Sequence, residues 1–521
     1  MDGLACSSCT LVNPPGALLC EACNAYLEGC APCITSSEDE SFLVTARRLW
    51  DGFSDACIEG ECGVGVAVSE GRIAWCGKLE ELPEQLCSLA ARCHHAEMDS
   101  TLIPGLIDSH VHIEFDPRYG LHDQPKLSKD ELLAAMLGRA RRMLAHGITT
   151  ARDLGGKGGA IALRAAIQSH DEAEPSSASG PRLLCAGQAI TKPKGHCWQW
   201  GGEASNEEEI REVARRQLRP PINADVIKIM ATGGVRTAGT NPSEAAFTRS
   251  EIAACVEVAN ASGRPCAAHA HGVSGIGNAA SAGVTTIEHC SWVDRGGSWG
   301  QDEASIIGEI ARRGMCIDGG RALLSEHTHT LRMPFHSLTD TAAACIGIFV
   351  CPTIGAGWAT NGMASAMAPS LRRMVNAGVR LIAGSDAGAI PNLHHHRLAD
   401  GLVVMARMGQ LSHAEALRCA TSEAAAALGV SEVCGSLRVG LSADLLVVHG
   451  NPILDLEVLC APMLAVIARG RSVPPCGGGQ STAAAAAASR SPAWTWSRGR
   501  DERAAAAGGL GSSARCACVR S

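Results

Sequence analysis

Between residues 106 and 386 the chain repeats one alternation, a short β-type run and then a helical segment. No other feature limits its fold as much. Strand-like runs lie at 106–112, 147–152, 182–190, 225–231, 265–271, 284–289, 347–353 and 379–386. Helical segments at 128–145, 206–218, 249–262 and 369–377 separate most of them. Eight strands alternating with helices predict an α/β fold, a parallel (β/α)8 TIM barrel. The units share no fixed period, so a solenoid is not expected. One junction is out of step. A helix at 303–313 runs into Arg313-Gly-Met-Cys-Ile-Asp318, where a strand is due, yet Phe349-Val-Cys-Pro-Thr-Ile354 arrives some 30 residues later. Residues 316–347 are therefore expected to be an insertion, either a loop over the barrel mouth or an artefact of the gene model.

Strand-rich segments flank this region. Phe42-Leu-Val-Thr-Ala46 is followed by a hairpin of Gly63–Val68 and Arg72–Gly77 around Ser69-Glu70-Gly71. On the far side lie Gly435–His449 and Leu464–Gly470. Both flanks are expected to build one composite β-sandwich, with residues 42–100 and 431–473 around a barrel at 101–430. Past that point the chain is rich in Gly, Ala, Ser and Arg, with an Ala run at 483–488, and residues 474–521 are expected to be a disordered tail.

The chain has 521 residues, 46% of them hydrophobic, which is enough for a large core. A net charge of −8 argues against a nucleic-acid-binding surface, and no nucleic-acid partner is expected. No apolar run reaches roughly 18 residues, so no membrane partner is expected. The opening Met-Asp-Gly-Leu-Ala-Cys6 lacks the apolar segment of a secretory signal. A cytoplasmic location follows as an expectation. The 25 cysteines then read as reduced core residues or metal ligands rather than disulfides.

Four of those cysteines stand apart. Cys6, Cys9, Cys20 and Cys23 form C-x2-C-x10-C-x2-C, the spacing of a closed tetrahedral zinc site. A segment this small buries no core of its own, so one structural zinc would supply its folding energy. Residues 1–28 resemble the RanBP2-type zinc finger, with Asn13 four residues after Cys9 and a linker at 29–41. Leu4 replaces the usual Trp, and Thr10-Leu11 stands where ubiquitin-binding members carry Thr-Phe. The resemblance makes ubiquitin a candidate protein partner. The finger holds no Arg or Lys, which disfavours RNA.

The chemistry sits at strand ends. Thr101-Leu-Ile-Pro-Gly-Leu-Ile-Asp-Ser-His-Val-His-Ile113 delivers His110 and His112 two residues apart, on one face of a strand. Lys228 lies within an apolar strand. Another strand ends in His269-Ala-His271, the next in Glu288-His289, and the last in Asp386. Side chains at the C-terminal ends of barrel strands converge, and imidazole with carboxylate suits zinc and related divalent ions. Each residue alone has a structural role open to it; together they point to a metal centre. The triplet His394-His-His396 follows the last strand on a loop, where solvated histidines are expected.

The chain resembles the amidohydrolase superfamily of metal-dependent hydrolases, in its Xaa-Pro dipeptidase/imidazolonepropionase-like branch. The phrases that carry the resemblance are Pro104–His112, Asp225–Gly234, Ala267–Gly272, Ala282–His289, Ala383–Gly388 and Gly440–Val447. It implies two divalent metal ions, zinc by ligand type. His110, His112 and Asp386 would hold the first, His269 and His289 the second, and a carboxylated Lys228 would bridge them. His196 and His271 would meet the substrate, and Asp386 would move the proton. The implied reaction is cleavage of a C–N bond in a small amide or dipeptide, in a chain that can form homo-oligomers. Cyclic amide or amidine hydrolysis, or deamination, is the alternative chemistry. A non-catalytic adaptor with the barrel as scaffold is the alternative of another class.

Overall fold

The computed structural model describes residues 41–473, except 90, 122, 174–177, 315–346 and 360–361, together with residues 496–497 and 517–518 and two short strands near the N-terminus. Those two, β1 (Leu4–Ala5) and β2 (Val12–Asn13), pair antiparallel. The finger cysteines Cys6, Cys9, Cys20 and Cys23 lie outside the described residues, as do nearly all of 316–347 and of the tail.

The N-terminal flank forms β3 (Phe42–Leu49), β4 (Ile58–Ser69), β5 (Arg72–Lys78), β6 (Ala91–His95) and β7 (Ser100–Pro104). The middle of the chain then alternates as expected. In order it runs β8 (Leu106–Val111), α1 (Lys129–Ala145), β9 (Ile148–Asp153), α2 (Gly159–Ala173), β10 (Arg182–Cys185) and α3 (Glu207–Leu218). There follow β11 (Ile227–Met230), α4 (Arg249–Ala261), β12 (Cys266–Gly272), α5 (Val273–Ala282), β13 (Thr286–Val293) and α6 (Ala304–Gly314). The last units are β14 (Phe349–Cys351), α7 (Met363–Asn376), β15 (Arg380–Leu381), α8 (Leu398–Gly409), α9 (His413–Cys419) and α10 (Ser422–Leu428). The C-terminal flank adds β16 (Leu445–His449), β17 (Ala465–Ala468) and β18 (Arg471–Ser472). Among the described residues, no helix is long and apolar enough to cross a membrane.

Local chemistry sets the helix starts. Ser128, Thr248 and Ser412 each cap a helix whose third residue, Glu131, Glu251 or Glu415, bonds back to the cap. Helix α3 opens on Glu207, Glu208 and Glu209 and closes on Arg215 and Arg216, matching the helix dipole. Helix α7 starts six residues before the expected 369. Pro369 lies inside it, since Met367 and Leu371 on its buried face anchor the turns on either side of the missing N–H.

The eight central strands run parallel in two arcs, β10-β9-β8 and β11-β12-β13-β14-β15. Hydrogen bonds join the arcs at both seams. On one side Ser109 N donates to Ala383 O (3.0 Å) and Asp386 N to His110 O (2.8 Å). On the other, Ile190 N donates to Lys228 O and Met230 N to Ile190 O, both at 2.8 Å. The arrangement is consistent with a (β/α)8 barrel. Two strands are shorter than the sequence suggests. Gly187 (φ +71°) breaks the ladder after Cys185, and beyond Leu381 the last segment continues along β8 by the seam bonds.

The two flanks meet in one mixed eight-stranded sheet, β18-β17-β16-β7-β3-β4-β5, with β6 beside β3. The expected sandwich is thus a single continuous ladder rather than two. Alternation along β3 shows how it is packed: Phe42, Val44 and Ala46 share a cluster with Leu445, Val447 and Ile467, while Leu43 joins Ala67 and Leu79 on the other face. At the out-of-step junction, α6 ends at Gly314 and β14 starts at Phe349. The two ends touch: a Cβ on Gly347 would lie 2.8 Å from the Arg313 and Gly314 carbonyl oxygens.

Candidate metal centre

His110 sits on β8, and His112 follows just past its end. Their Nε2 atoms are 3.3 Å apart, and Asp386 Oδ1 lies 3.4 Å from each. The other ring nitrogens are committed. His110 Nδ1 donates to Glu288 Oε2 and His112 Nδ1 to the Gly155 carbonyl, both at 2.8 Å. With the ring protons placed there, both Nε2 atoms face each other as lone pairs beside a carboxylate. Three electron-rich atoms in a buried site repel one another unless a cation lies between them, so this set fits a metal ion. Burial, then the nearby Lys228, pushes His110 down to about 4. For His112 burial works the same way, but the Asp386 carboxylate outweighs it and raises the pKa. Asp386 itself stays below the usual carboxylate range, because His112 and His110 overcome the effect of burial.

The second group comes from β12 and β13. His269, His271 and His289 bring their ligand atoms within 4.8 Å of one another, and the His289 ring lies 5.1 Å from that of His110. The two groups therefore adjoin. Each of these rings is also fixed by its far nitrogen. His271 Nδ1 meets Ser291 Oγ (2.6 Å), and His289 Nδ1 meets Thr353 Oγ1 (2.8 Å). His269 is turned the other way: Nε2 donates to Gly233 O at 3.3 Å, leaving Nδ1 as its lone-pair atom. Burial first, and then the neighbouring imidazoles, hold His269 and His289 well below the ordinary range, which favours the neutral rings that a cation would need. The backbone here is strained. His289 (φ +68°), Cys290 (+47°), Trp292 (+58°), Thr353 (+50°) and Asp386 (+57°) all adopt left-handed conformations. Such residues cost roughly 1–3 kcal/mol each and persist where surrounding structure imposes them.

Lys228 on β11 is 1% exposed, and its Nζ has no hydrogen-bond partner. Burial lowers its pKa, although the Glu288 carboxylate works against that. A buried amine without a partner is costly and calls for a group beside it. The His196 ring lies tilted 4.5 Å from that of His269, and its Nδ1 meets Thr237 Oγ1 at 2.9 Å. Gly234 makes room for that ring, since a Cβ there would come within 2.3 Å of it.

Behind these histidines lies a charged layer that the sequence reading did not assign to the site. Glu288 accepts from His110 through Oε2 and from Arg152 Nη2 (3.0 Å) and Thr286 through Oε1. Arg152 Nε also donates to Ser109 O at 2.8 Å. Asp108 accepts the backbone N–H of His110 (3.2 Å) and of Ser385 (3.0 Å), and burial raises its pKa to about 7. Asp153 accepts from Gly155 N and Ile113 N, fixing the carbonyl that holds His112. The signal that could have found these residues is a charge inside an apolar strand, as in Thr149-Thr-Ala-Arg-Asp153. The loop triplet needs a correction. His395 is not solvated but 2% exposed, and its Nε2 donates to His112 O at 3.1 Å. Gly388 (φ +95°) allows this approach, because a Cβ would meet His112 O at 2.2 Å.

The predicted residues 110, 112, 196, 228, 269, 271, 289 and 386 all line one cavity of about 380 Å³. Trp200, Trp299, Trp358, Met230 and Leu393 make its walls largely apolar, and exposed Arg236 borders it.

The amidohydrolase family matches residues 101–475. Ochratoxinase from Aspergillus niger is 26% identical over 474 residues, covering 83% of this chain and 86% of that protein. Imidazolonepropionase from Methylobacterium nodulans is 27% identical over 296 residues, 50% of this chain and 69% of that one. Among solved structures, a Xaa-Pro dipeptidase with bound methionine in its active site is similar with TM-score 0.65 and 25% identity, over 83% of this chain and 99% of its own. The A. niger ochratoxinase structure is similar with TM-score 0.65 and 23% identity, over 84% and 97%.

Proposed function

On the premise that the chain belongs to the amidohydrolase family and is a hydrolase acting on C–N bonds, we propose a binuclear metal-dependent amide hydrolase on a closed (β/α)8 barrel. His110, His112 and Asp386 would hold one ion and His269 and His289 the other; Lys228, its neutral amine carboxylated by CO2 with loss of a proton, would supply a further carboxylate to them. The facing Nε2 lone pairs of His110 and His112 at 3.3 Å, with Asp386 Oδ1 at 3.4 Å from each, carry this reading. Such ions, when bound, supply Lewis-acid chemistry and a nucleophile at neutral pH. The chain's own residues do the rest. Asp386 accepts a proton on its carboxylate and returns it to the leaving nitrogen. His196 and His271 orient the scissile amide from the β12 side. The tryptophan-rich wall excludes water and receives an apolar or aromatic group. Arg236 faces a carboxylate on the same substrate. An amide between an apolar acyl or aminoacyl group and a carboxylate-bearing amine matches these features, and ochratoxinase and the Xaa-Pro dipeptidase are the relatives that point the same way.

The test is metal content and turnover together. Purified full chain is assayed on a panel of dipeptides and N-acyl amino acids, before and after chelation and re-addition of zinc. Asp386→Asn should lower kcat by about 10²–10⁴ with an unchanged melting profile. Near-full activity of that variant, or of the chelated protein, would overturn the reading.

A further inference from the structure

The segment after β10 carries His196 and Cys197, and the loop after β11 carries Thr237. One hydroxyl joins them. Thr237 Oγ1 lies 2.9 Å from His196 Nδ1 and accepts the Cys197 backbone N–H at 3.1 Å. Thr237 is 3% exposed and His196 8%. Cys197 is left-handed (φ +56°), so the bond to its N–H braces a strained turn. Thr237 is held in its own loop, where Thr240 N donates to Thr237 O at 3.2 Å. At the other end of the ring, His196 Nε2 lies 3.5 Å from Cys197 Sγ, and both residues line the cavity.

A hydroxyl has one proton to give and two lone pairs with which to receive. Thr237 Oγ1 receives the Cys197 N–H, and its own proton needs an acceptor. Among the described residues, His196 Nδ1 is the atom placed to be one. If Nδ1 carried a proton, in the neutral ring or in the imidazolium, the hydroxyl proton would be buried with nothing to receive it, which is costly. The rival arrangement leaves the lone pair on Nε2 and lets the Cys197 thiol donate to it. A thiol is a weak donor, so this recovers less than the hydroxyl loses.

We infer that Thr237 is a positioning residue: its hydroxyl fixes His196 as the Nε2–H tautomer, and, on the reading that His196 orients the scissile amide, this N–H is what the ring offers the carbonyl oxygen. His196 then gives a hydrogen bond and takes no proton, which leaves proton transfer to Asp386. At rest the Nε2 proton faces the Cys197 sulfur, a weak acceptor. The carbonyl oxygen of a bound amide is a stronger one and gains negative charge in the transition state, so a donor fixed beforehand acts mainly on kcat. The loop that brings Arg236 to the cavity border thus also sets the proton on His196.

The test uses the zinc-loaded full chain, labelled with 15N-histidine, as wild type, Thr237→Val and Thr237→Ser. The His196 ring signals are identified by their loss in His196→Gln. Long-range 1H–15N spectra of wild type should show His196 with an unprotonated Nδ1 and a protonated Nε2. Thr237→Val should shift the Nδ1 resonance, and Thr237→Ser, which keeps the hydroxyl, should not. A wild-type ring protonated at Nδ1, or an Nδ1 signal that Thr237→Val leaves in place, overturns the inference. On an N-acyl amino acid substrate, Thr237→Val should lower kcat about tenfold with KM changed little, as for one hydrogen bond lost in the transition state. Thr237→Ser should restore the rate; full activity of the valine variant, or no recovery in the serine variant, also refutes it. The spectra need no turnover, so failure of the amide-hydrolase reading is seen separately from failure of this one.

Discussion

Exchanging Glu288 for glutamine keeps the side chain's size and removes its charge. In the native protein its two oxygens receive three donors: His110 Nδ1 at 2.8 Å, Arg152 Nη2 at 3.0 Å, and the Thr286 hydroxyl. Glu288 and Arg152 are both fully buried. A glutamine has one acceptor oxygen and one NH2 group. If the oxygen keeps Arg152 and Thr286, the NH2 points at His110 Nδ1–H, and two donors oppose each other. His110 relieves that clash by moving its proton to Nε2, which removes the lone pair that faces His112 and Asp386. The variant therefore combines two losses. Leaving the buried Arg152 guanidinium without its carboxylate costs about 3–5 kcal/mol. Misplacing the proton on a metal-binding histidine weakens metal binding by about 10–100-fold. Thermal unfolding reads the first loss, and metal retained per chain across a series of buffered free-zinc concentrations reads the second. The double variant Glu288→Met/Arg152→Met separates them: it removes the orphaned charge and should recover stability while metal retention stays low. If Glu288→Gln melts and retains metal like wild type, the proton placement argued for His110 is wrong.

Lys228→Ala should retain less metal than wild type by elemental analysis, because the bridge is gone; unchanged stoichiometry would remove the bridging role. Arg236→Ala should raise KM for carboxylate-bearing substrates about tenfold, as for one partly solvated charged hydrogen bond, with kcat changed little. An equal effect on amides lacking a carboxylate would refute that contact. Gly314 and Gly347 adjoin, so replacing 315–346 by a short Gly-Ser linker should leave the melting temperature within a few degrees of wild type; loss of cooperative unfolding would show that the segment belongs to the fold.

What the sequence made legible follows from geometry that is local along the chain. A strand puts i and i+2 on one face, so His110 and His112 announce themselves, and strand-end positions place Lys228, His269, His289 and Asp386 around one mouth. The nitrogen that each ring offers is a different matter. It depends on what the far side of the imidazole touches: Glu288 for His110, Thr353 for His289 and Ser291 for His271. The first two partners lie 178 and 64 positions away. No periodicity encodes such contacts, and a buried Glu–Arg pair looks in sequence like any two charged residues. The inward turn of His395 was hidden for the same reason. It rests on Gly388, whose φ of +95° lets the His112 carbonyl come close enough for an imidazole N–H to reach it. A side chain at 388 would push that carbonyl, and His112 with it, away from His110 and Asp386. The glycine in Ala383-Gly-Ser-Asp-Ala-Gly388 thus belongs to the centre as much as the aspartate two residues before it.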